Sequence, residues 1–241
     1  VPFVFPDMKR FLYGTTSSSL YEMRLGKTAF GGETHAYNVA FRDDEIDEVL
    51  EYADKIIFNS TSQLHRFKEV AMRRCCPIGL RINPGVSFSP YSLADPARPY
   101  SRLGVTDRED LCSVLPQISG LMFHFNCEND DFCQLQASLK KIEEEYAFAL
   151  LAVDWISLGG GIKFISPHYP WENLANYLKE WADRYHIQIY LEPGAATMAG
   201  VGSLEVSVLD IIKRQEQKIA IVDASIAVSY THLTLPTSDL V

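Results

Sequence analysis

Three consecutive glycines, Gly159-Gly160-Gly161, follow the apolar run Trp155-Ile156-Ser157-Leu158. Glycine at a strand end lets the backbone come close to a ligand and aims N–H groups at a phosphate. One glycine there would mean a tight turn; three in a row favour phosphate. The spacing fits neither G-x-G-x-x-G nor a Walker loop, so it supports neither a dinucleotide nor ATP. Glu192-Pro193-Gly194 closes the next β-branched run. Its carboxylate reads either as a solvated loop acid or as a group that keeps a heterocyclic nitrogen protonated. His124, within Phe123-His124-Phe125-Asn126, reads as a satisfied core histidine or as a ring stacked on a planar cofactor. Asn126, Cys127 and Glu128 follow it, polar or reactive groups that a plain core turn does not need. Arg81 and Asn83 end a further apolar run. A strand-terminal arginine is costly to bury, which predicts an anion or a carboxylate beside Arg81. Ser17-Ser18-Ser19 could donate to a ligand but fit a helix cap better.

The elements that must carry these groups alternate. Short apolar, β-branched runs predict strands over 11–15, 35–39, 55–59, 78–83, 121–125, 155–158 and 187–192. Longer charged runs of helical period predict helices over 18–25, 43–53, 62–73, 131–150 and 171–185, the second starting at an Asp43-Asp44 pair. A repeating β-α order implies an α/β fold with a parallel sheet. Seven strands come nearest to a (β/α)8 TIM-like barrel, with the first strand expected upstream of Val1. A doubly wound open sheet is the alternative. In a barrel, Arg81, Asn83, His124, the glycine triplet and Glu192 converge on the face where the strands end. Beyond Glu192, the runs 204–212 and 218–223 have no helix between them and predict the start of an antiparallel β-domain. The expected organisation is a barrel over 1–200, incomplete at its N-terminus, the start of a β-domain over 201–227, and a foreign or disordered tail over 228–241.

Composition narrows the function. At 47% hydrophobic and 22% charged, the 241 residues are ordinary globular material, which excludes a disordered or fibrous chain. Asp plus Glu is 31 against 22 Lys plus Arg, a net charge of -9. That sign argues against general nucleic-acid or anionic-membrane partners and suits a cationic substrate. No apolar run is long enough to span a membrane, and the prolines at positions 2 and 6 do not suit a signal peptide. Five cysteines without paired spacing give neither a disulfide framework nor a zinc site, and a reducing cytoplasm is the natural setting.

Several stretches, in this order, also carry a family resemblance: Thr15-Thr16-Ser17-Ser18-Ser19-Leu20-Tyr21-Glu22, Leu80-Arg81-Ile82-Asn83-Pro84, Ser101-Arg102-Leu103-Gly104, Phe123-His124-Phe125-Asn126-Cys127-Glu128, Ser157-Leu158-Gly159-Gly160-Gly161 and Leu191-Glu192-Pro193-Gly194. Together they resemble the alanine-racemase-type (fold type III) barrel of the pyridoxal 5'-phosphate (PLP) decarboxylases. The Thr/Ser stretch and Asn126-Cys127-Glu128 are most similar to the branch acting on carboxynorspermidine and carboxyspermidine. The resemblance covers roughly residues 4 to 227.

It implies PLP as cofactor, with His124 stacked on the ring, Gly159, Gly160 and Gly161 on the phosphate, Glu192 on the pyridinium nitrogen, and Arg81 and Gly194 in support. It implies a carboxy-lyase of polyamine biosynthesis: a cytoplasmic homodimer that releases norspermidine or spermidine from a cationic carboxy-polyamine. Cys127 stands where relatives often place a phosphate-contacting serine. Ala195 stands where ornithine-type members have an arginine, which counts against ornithine. The family's Schiff-base lysine would lie at the end of the first barrel strand, ahead of Lys9, and no cysteine follows Cys133 to serve a partner's site. The chain is therefore expected to be a fragment, inactive as isolated. A diaminopimelate- or arginine-type decarboxylase, a non-catalytic PLP-binding barrel, and a sugar-phosphate aldolase or isomerase barrel are the alternatives.

Overall fold

The computed structural model describes residues 2–200 and 202–224. Seven parallel strands form one sheet: β1 (Gly14–Ser17), β2 (Glu33–Tyr37), β3 (Lys55–Phe58), β4 (Ile78–Arg81), β5 (Gly120–Met122), β6 (Trp155–Ser157) and β7 (Gln188–Tyr190). Their spatial order runs from β1 to β7 without a reversal. A doubly wound sheet must reverse its order at a switch point, so that alternative falls. The helices of this unit are α1 (Phe5–Met8), α2 (Leu20–Leu25), α3 (Ile46–Tyr52), α4 (Thr61–Arg73), α5 (Arg108–Val114), α6 (Phe132–Leu150) and α7 (Trp171–Tyr185).

The sheet curls into a partial barrel. Strands β2 and β7 are five places apart, which in a flat sheet would be roughly 24 Å. Yet the rings of His35 and Tyr190 meet edge to face with centroids 4.7 Å apart. The hydroxyl of Thr16, on β1, likewise reaches the carboxylate of Glu192 just past β7. The central strands β3 to β6 are short and buried on both faces, which is why they read as apolar runs. Ile56, Phe58, Leu80, Leu121 and Ile156 point outward, fully buried, beneath Leu50 of α3, Leu64 and Phe67 of α4, Leu139 and Ile142 of α6 and Trp181 of α7. Burying each such side chain contributes on the order of 1.5–3 kcal/mol.

The inner face is smaller and mixed. Ile57, Met122 and Trp155 form its apolar part, with Tyr37 and Tyr190 against them. The indole of Trp155 occupies the space above Gly79 and Gly120, where an added Cβ would fall 2.5 and 2.1 Å from it. Near the start of the strands lies a polar cluster. Glu33 accepts from His35 Nε2 at 2.6 Å and pairs with the Lys55 ammonium. Lys55 also lies 5.1 Å from the centre of the Tyr190 ring.

Several boundaries differ from those the sequence predicts, each for a local reason. Strand β1 begins at Gly14 rather than at 11, because the ladder with β2 starts at Gly14↔Glu33. Phe11 and Tyr13 remain 82% and 79% exposed. Helix α3 starts at Ile46, since Asp43 and Asp44 bind Arg66 and Arg42 instead of capping it. Helix α5 was not expected; Asp107 caps it by accepting the N–H groups of Glu109 and Asp110 at 2.7 and 2.9 Å. The serine run does cap α2: Ser19 accepts from Glu22 N–H at 3.3 Å, and the Glu22 carboxylate accepts from Ser18 N–H at 2.8 Å.

A second compact unit begins at Gly194. It holds α8 (Gly194–Met198) and an antiparallel hairpin of β8 (Val208–Arg214) and β9 (Gln217–Val222), built from the two runs that predicted it. Residues 225–241, and with them the expected tail over 228–241, lie outside the described residues. Among the described residues no helix is long and apolar enough to cross a membrane.

Candidate active site

In a parallel barrel every strand delivers its last inward side chain to the same end. Here Tyr37 closes β2 and Arg81 closes β4, while Asn59, His124, Gly159 and Glu192 stand one or two residues past β3, β5, β6 and β7. The structure therefore brings Arg81, His124, the triplet and Glu192 together. Gly194 belongs to the second unit. Asn83 is spent on its own loop, donating to Pro96 O at 3.2 Å and accepting from Gly85 N–H at 3.1 Å.

Among the described residues no carboxylate forms the predicted ion pair with Arg81, although its charge acts on Glu192 from a longer distance. Its guanidinium donates to the Tyr37 hydroxyl and, at 3.1 Å, to the His124 carbonyl, and it lies 5.0 Å from the Tyr37 ring centre. A phenol, a carbonyl and a π face together satisfy a cation that is 5% exposed. Tyr37 passes its own proton to Asn59 Oδ1 at 3.0 Å, and Asn59 Oδ1 accepts from Gly104 N–H at 2.9 Å. Tyr37 and Asn59 were not among the sequence candidates. Their signal was position: both stand at strand C-terminal ends, level with Arg81 and His124.

The glycines have a steric basis. Gly159 and Gly161 adopt φ of +66° and +80°, where a side chain is strained. A Cβ on Gly159 would lie 2.5 Å from His124 Cγ, one on Gly160 2.5 Å from Glu192 O, and one on Gly161 2.2 Å from Asn126 O. The triplet is thus wedged between the strand ends that carry His124 and Glu192. Among the described residues no acceptor takes the N–H of Gly160 or Gly161. Asn126 Nδ2, beside Gly161, is buried and also without a partner.

His124 and Glu192 face each other, Nδ1 to Oε2, at 4.0 Å. Desolvation, aided by the charge of Arg81, pushes the His124 ring down to a pKa of about 4, so at neutral pH it is uncharged. Burial pushes Glu192 up, opposed by hydroxyl bonds from Ser157 and Thr16 and by the charge of Arg81. No lysine or arginine among the described residues forms an ion pair with Glu192. It is a largely buried carboxylate held by two hydroxyls and by the more distant charge of Arg81, and a cationic ligand in direct contact would further offset its desolvation. Cys127 is a different case. Burial pushes its thiol up, which keeps it protonated, and its neighbour Glu128 is taken by Lys163.

No family model matches the chain. Over 222 residues, 92% of this chain, it is 50% identical to a carboxynorspermidine/carboxyspermidine decarboxylase of Herminiimonas arsenicoxydans and covers 60% of that protein. It is 37% identical over 215 residues to the Campylobacter jejuni protein of the same name, covering 89% of this chain and 55% of that one. Among solved structures, the carboxynorspermidine decarboxylase of Campylobacter jejuni, complexed with norspermidine, superposes with a TM-score of 0.76 at 35% identity, over 93% of this chain and 57% of that one. The chain therefore spans somewhat more than half the length of the curated relatives it matches.

Proposed function

From a barrel shared over nine-tenths of the chain with carboxynorspermidine/carboxyspermidine decarboxylases, we propose that the chain serves the PLP-dependent decarboxylation of a carboxy-polyamine. The observation that carries this is a largely buried Glu192 carboxylate, without an ion pair to any described lysine or arginine, facing an uncharged His124 ring beside Gly160 and Gly161, whose N–H groups have no acceptor among the described residues. These groups suit a phosphorylated pyridine. The N–H groups of Gly160 and Gly161, with Asn126 Nδ2, would hold the phosphate, which three donors and a cradle without Cβ atoms favour. The uncharged His124 ring would lie against the pyridine face. Glu192 would accept the pyridinium N–H, and that cation, in direct contact, would offset the desolvation of the carboxylate. Held by these residues, the group would supply an electron sink for the pair left when a substrate carboxylate departs as CO2. Arg81 stays with Tyr37 and the His124 carbonyl, fixing the height of the histidine rather than meeting the phosphate.

The net charge of -9 suits a cationic carboxy-polyamine giving norspermidine or spermidine, and it argues against nucleic-acid and anionic-membrane partners. Five free cysteines fit a cytoplasmic setting, and a homodimer is the assembly this reading carries for the whole protein. The test has two arms. PLP added to the chain should bind with a change in its absorbance, and Glu192→Gln and His124→Ala should each weaken that binding at least tenfold. A version extended to the length of the relatives should release CO2 from carboxynorspermidine or carboxyspermidine. Release from diaminopimelate alone would overturn the substrate assignment, and no PLP binding would overturn the cofactor.

A further inference from the structure

Ser157, the last residue of β6, is fully buried, and its hydroxyl is used twice. It accepts from the N–H of Gly159 at 3.2 Å, and it donates to Glu192 Oε1 at 2.7 Å. A serine hydroxyl has one proton, so with an N–H occupying a lone pair that proton is committed to the carboxylate. The other oxygen, Oε2, is the one that faces His124. We infer that Ser157 is a positioning residue for Glu192: its hydroxyl ties down Oε1 and fixes the rotation of the carboxylate so that Oε2 faces into the site. The first glycine of the triplet takes part, because its N–H orients the serine. The turn above one part of the site thereby sets the direction of the acid in another. The value of that direction for catalysis rests on the function proposed above, but the hydrogen-bond arrangement does not.

Arg81, Tyr37 and His124 are the titratable groups that also face Glu192, and they are unchanged in the variants that follow. The experiment is a pH titration of the chain carrying 13C-labelled glutamate, with the Glu192 carboxyl signal assigned by its loss in Glu192→Gln. A hydrogen bond to a charged group that is worth roughly 1.5–3 kcal/mol corresponds to a midpoint displaced by about one to two pH units. Ser157→Ala should raise the Glu192 midpoint by about that amount, and Ser157→Thr, which keeps the hydroxyl, should return it toward the parent value. Ser138→Ala, a buried serine on α6, should leave it alone. If Ser157 only filled space, Ser157→Ala would lower the urea midpoint without moving the carboxyl titration. A folded Ser157→Ala with an unchanged Glu192 midpoint overturns the inference. With PLP added, the absorbance of the bound ring should titrate at a different pH in Ser157→Ala than in the parent chain. Absence of any PLP binding by the parent would defeat the proposed function and leave the carboxyl result standing.

Discussion

Replacing Gly161 with alanine tests how tightly the strand ends are locked together. The backbone there has φ of +80°, and holding a residue with a Cβ in that region costs about 1–2 kcal/mol. The new Cβ would then lie 2.2 Å from Asn126 O, 2.5 Å from its carbonyl carbon and 3.0 Å from Cys127 Cα. All three are backbone atoms, so relief requires the whole loop after β5 to move. Forced insertion of this kind costs roughly 1–3 kcal/mol more, for a total of about 2–5 kcal/mol. Gly159→Ala carries the same backbone strain at φ of +66°, but its Cβ meets the His124 ring. Swinging that side chain, 34% exposed, relieves the contacts at its Cγ and Nδ1 but not the one at its Cβ, 2.8 Å away, so the stability loss should be smaller than at Gly161 but not absent, and the ring displaced. Gly194→Ala, whose Cβ meets open space, should cost nothing measurable. Urea unfolding followed by tryptophan fluorescence would rank the three, and the His124 ring resonances would report its displacement. A Gly161→Ala variant within about 0.5 kcal/mol of the parent, or more stable than Gly159→Ala, would refute the reasoning.

Two other outcomes follow from the charges. His124 binds a proton near pH 6.5 when unfolded but only near pH 4 when folded, so the unfolded state holds the extra proton between those values. The His124 contribution to stability should be lost as pH drops from about 6.5 to about 4, so His124→Gln should fall less steeply across that window, keeping the decline from His35, which burial also pushes down. Equal slopes in the two chains would contradict the assignment. Inside the barrel, Lys55→Met would take the cation from the Glu33 carboxylate, leaving it the His35 and Tyr190 hydrogen bonds, and with side chains only 14% and 17% exposed should cost roughly 2–4 kcal/mol in urea. Arg42→Ala, at an ion pair 67% and 66% exposed, should leave the urea midpoint in place, and a comparable loss in both would argue that Lys55 is solvated.

The sequence carried the barrel because its outward residues are apolar and its helices amphipathic. Helix α7 was legible to the residue, since Leu174 and Trp181 keep a helical spacing just after Pro170. What it hid was the inner face. Phe11 and Tyr13 looked like strand because they are apolar, while the residues that pair, Gly14–Ser17, are small and polar. His35 and Lys55 passed as ordinary strand residues, although ladder register places them side by side and next to Glu33. The site was legible where residue type was unusual, as with the triplet, His124 and Glu192. It was illegible where an ordinary tyrosine or serine did the holding, because Tyr37 and Ser157 matter through partners 44 and 35 residues away.

The indole of Trp155 over Gly79 and Gly120 constrains the order in which those three positions can change. A Cβ at either glycine meets the indole at 2.5 or 2.1 Å, so neither can gain a side chain while the tryptophan is present. The reverse path is open: a smaller residue at 155 leaves a cavity, which is a loss, but one that the next substitution at 79 or 120 can refill. Viable lineages must therefore shrink the aromatic before they enlarge the glycines. The effect of a mutation at any of the three then depends on which of the others came first, and single-site scans started from this chain would score both glycines as invariant for a reason that lies two strands away for Gly79 and one for Gly120.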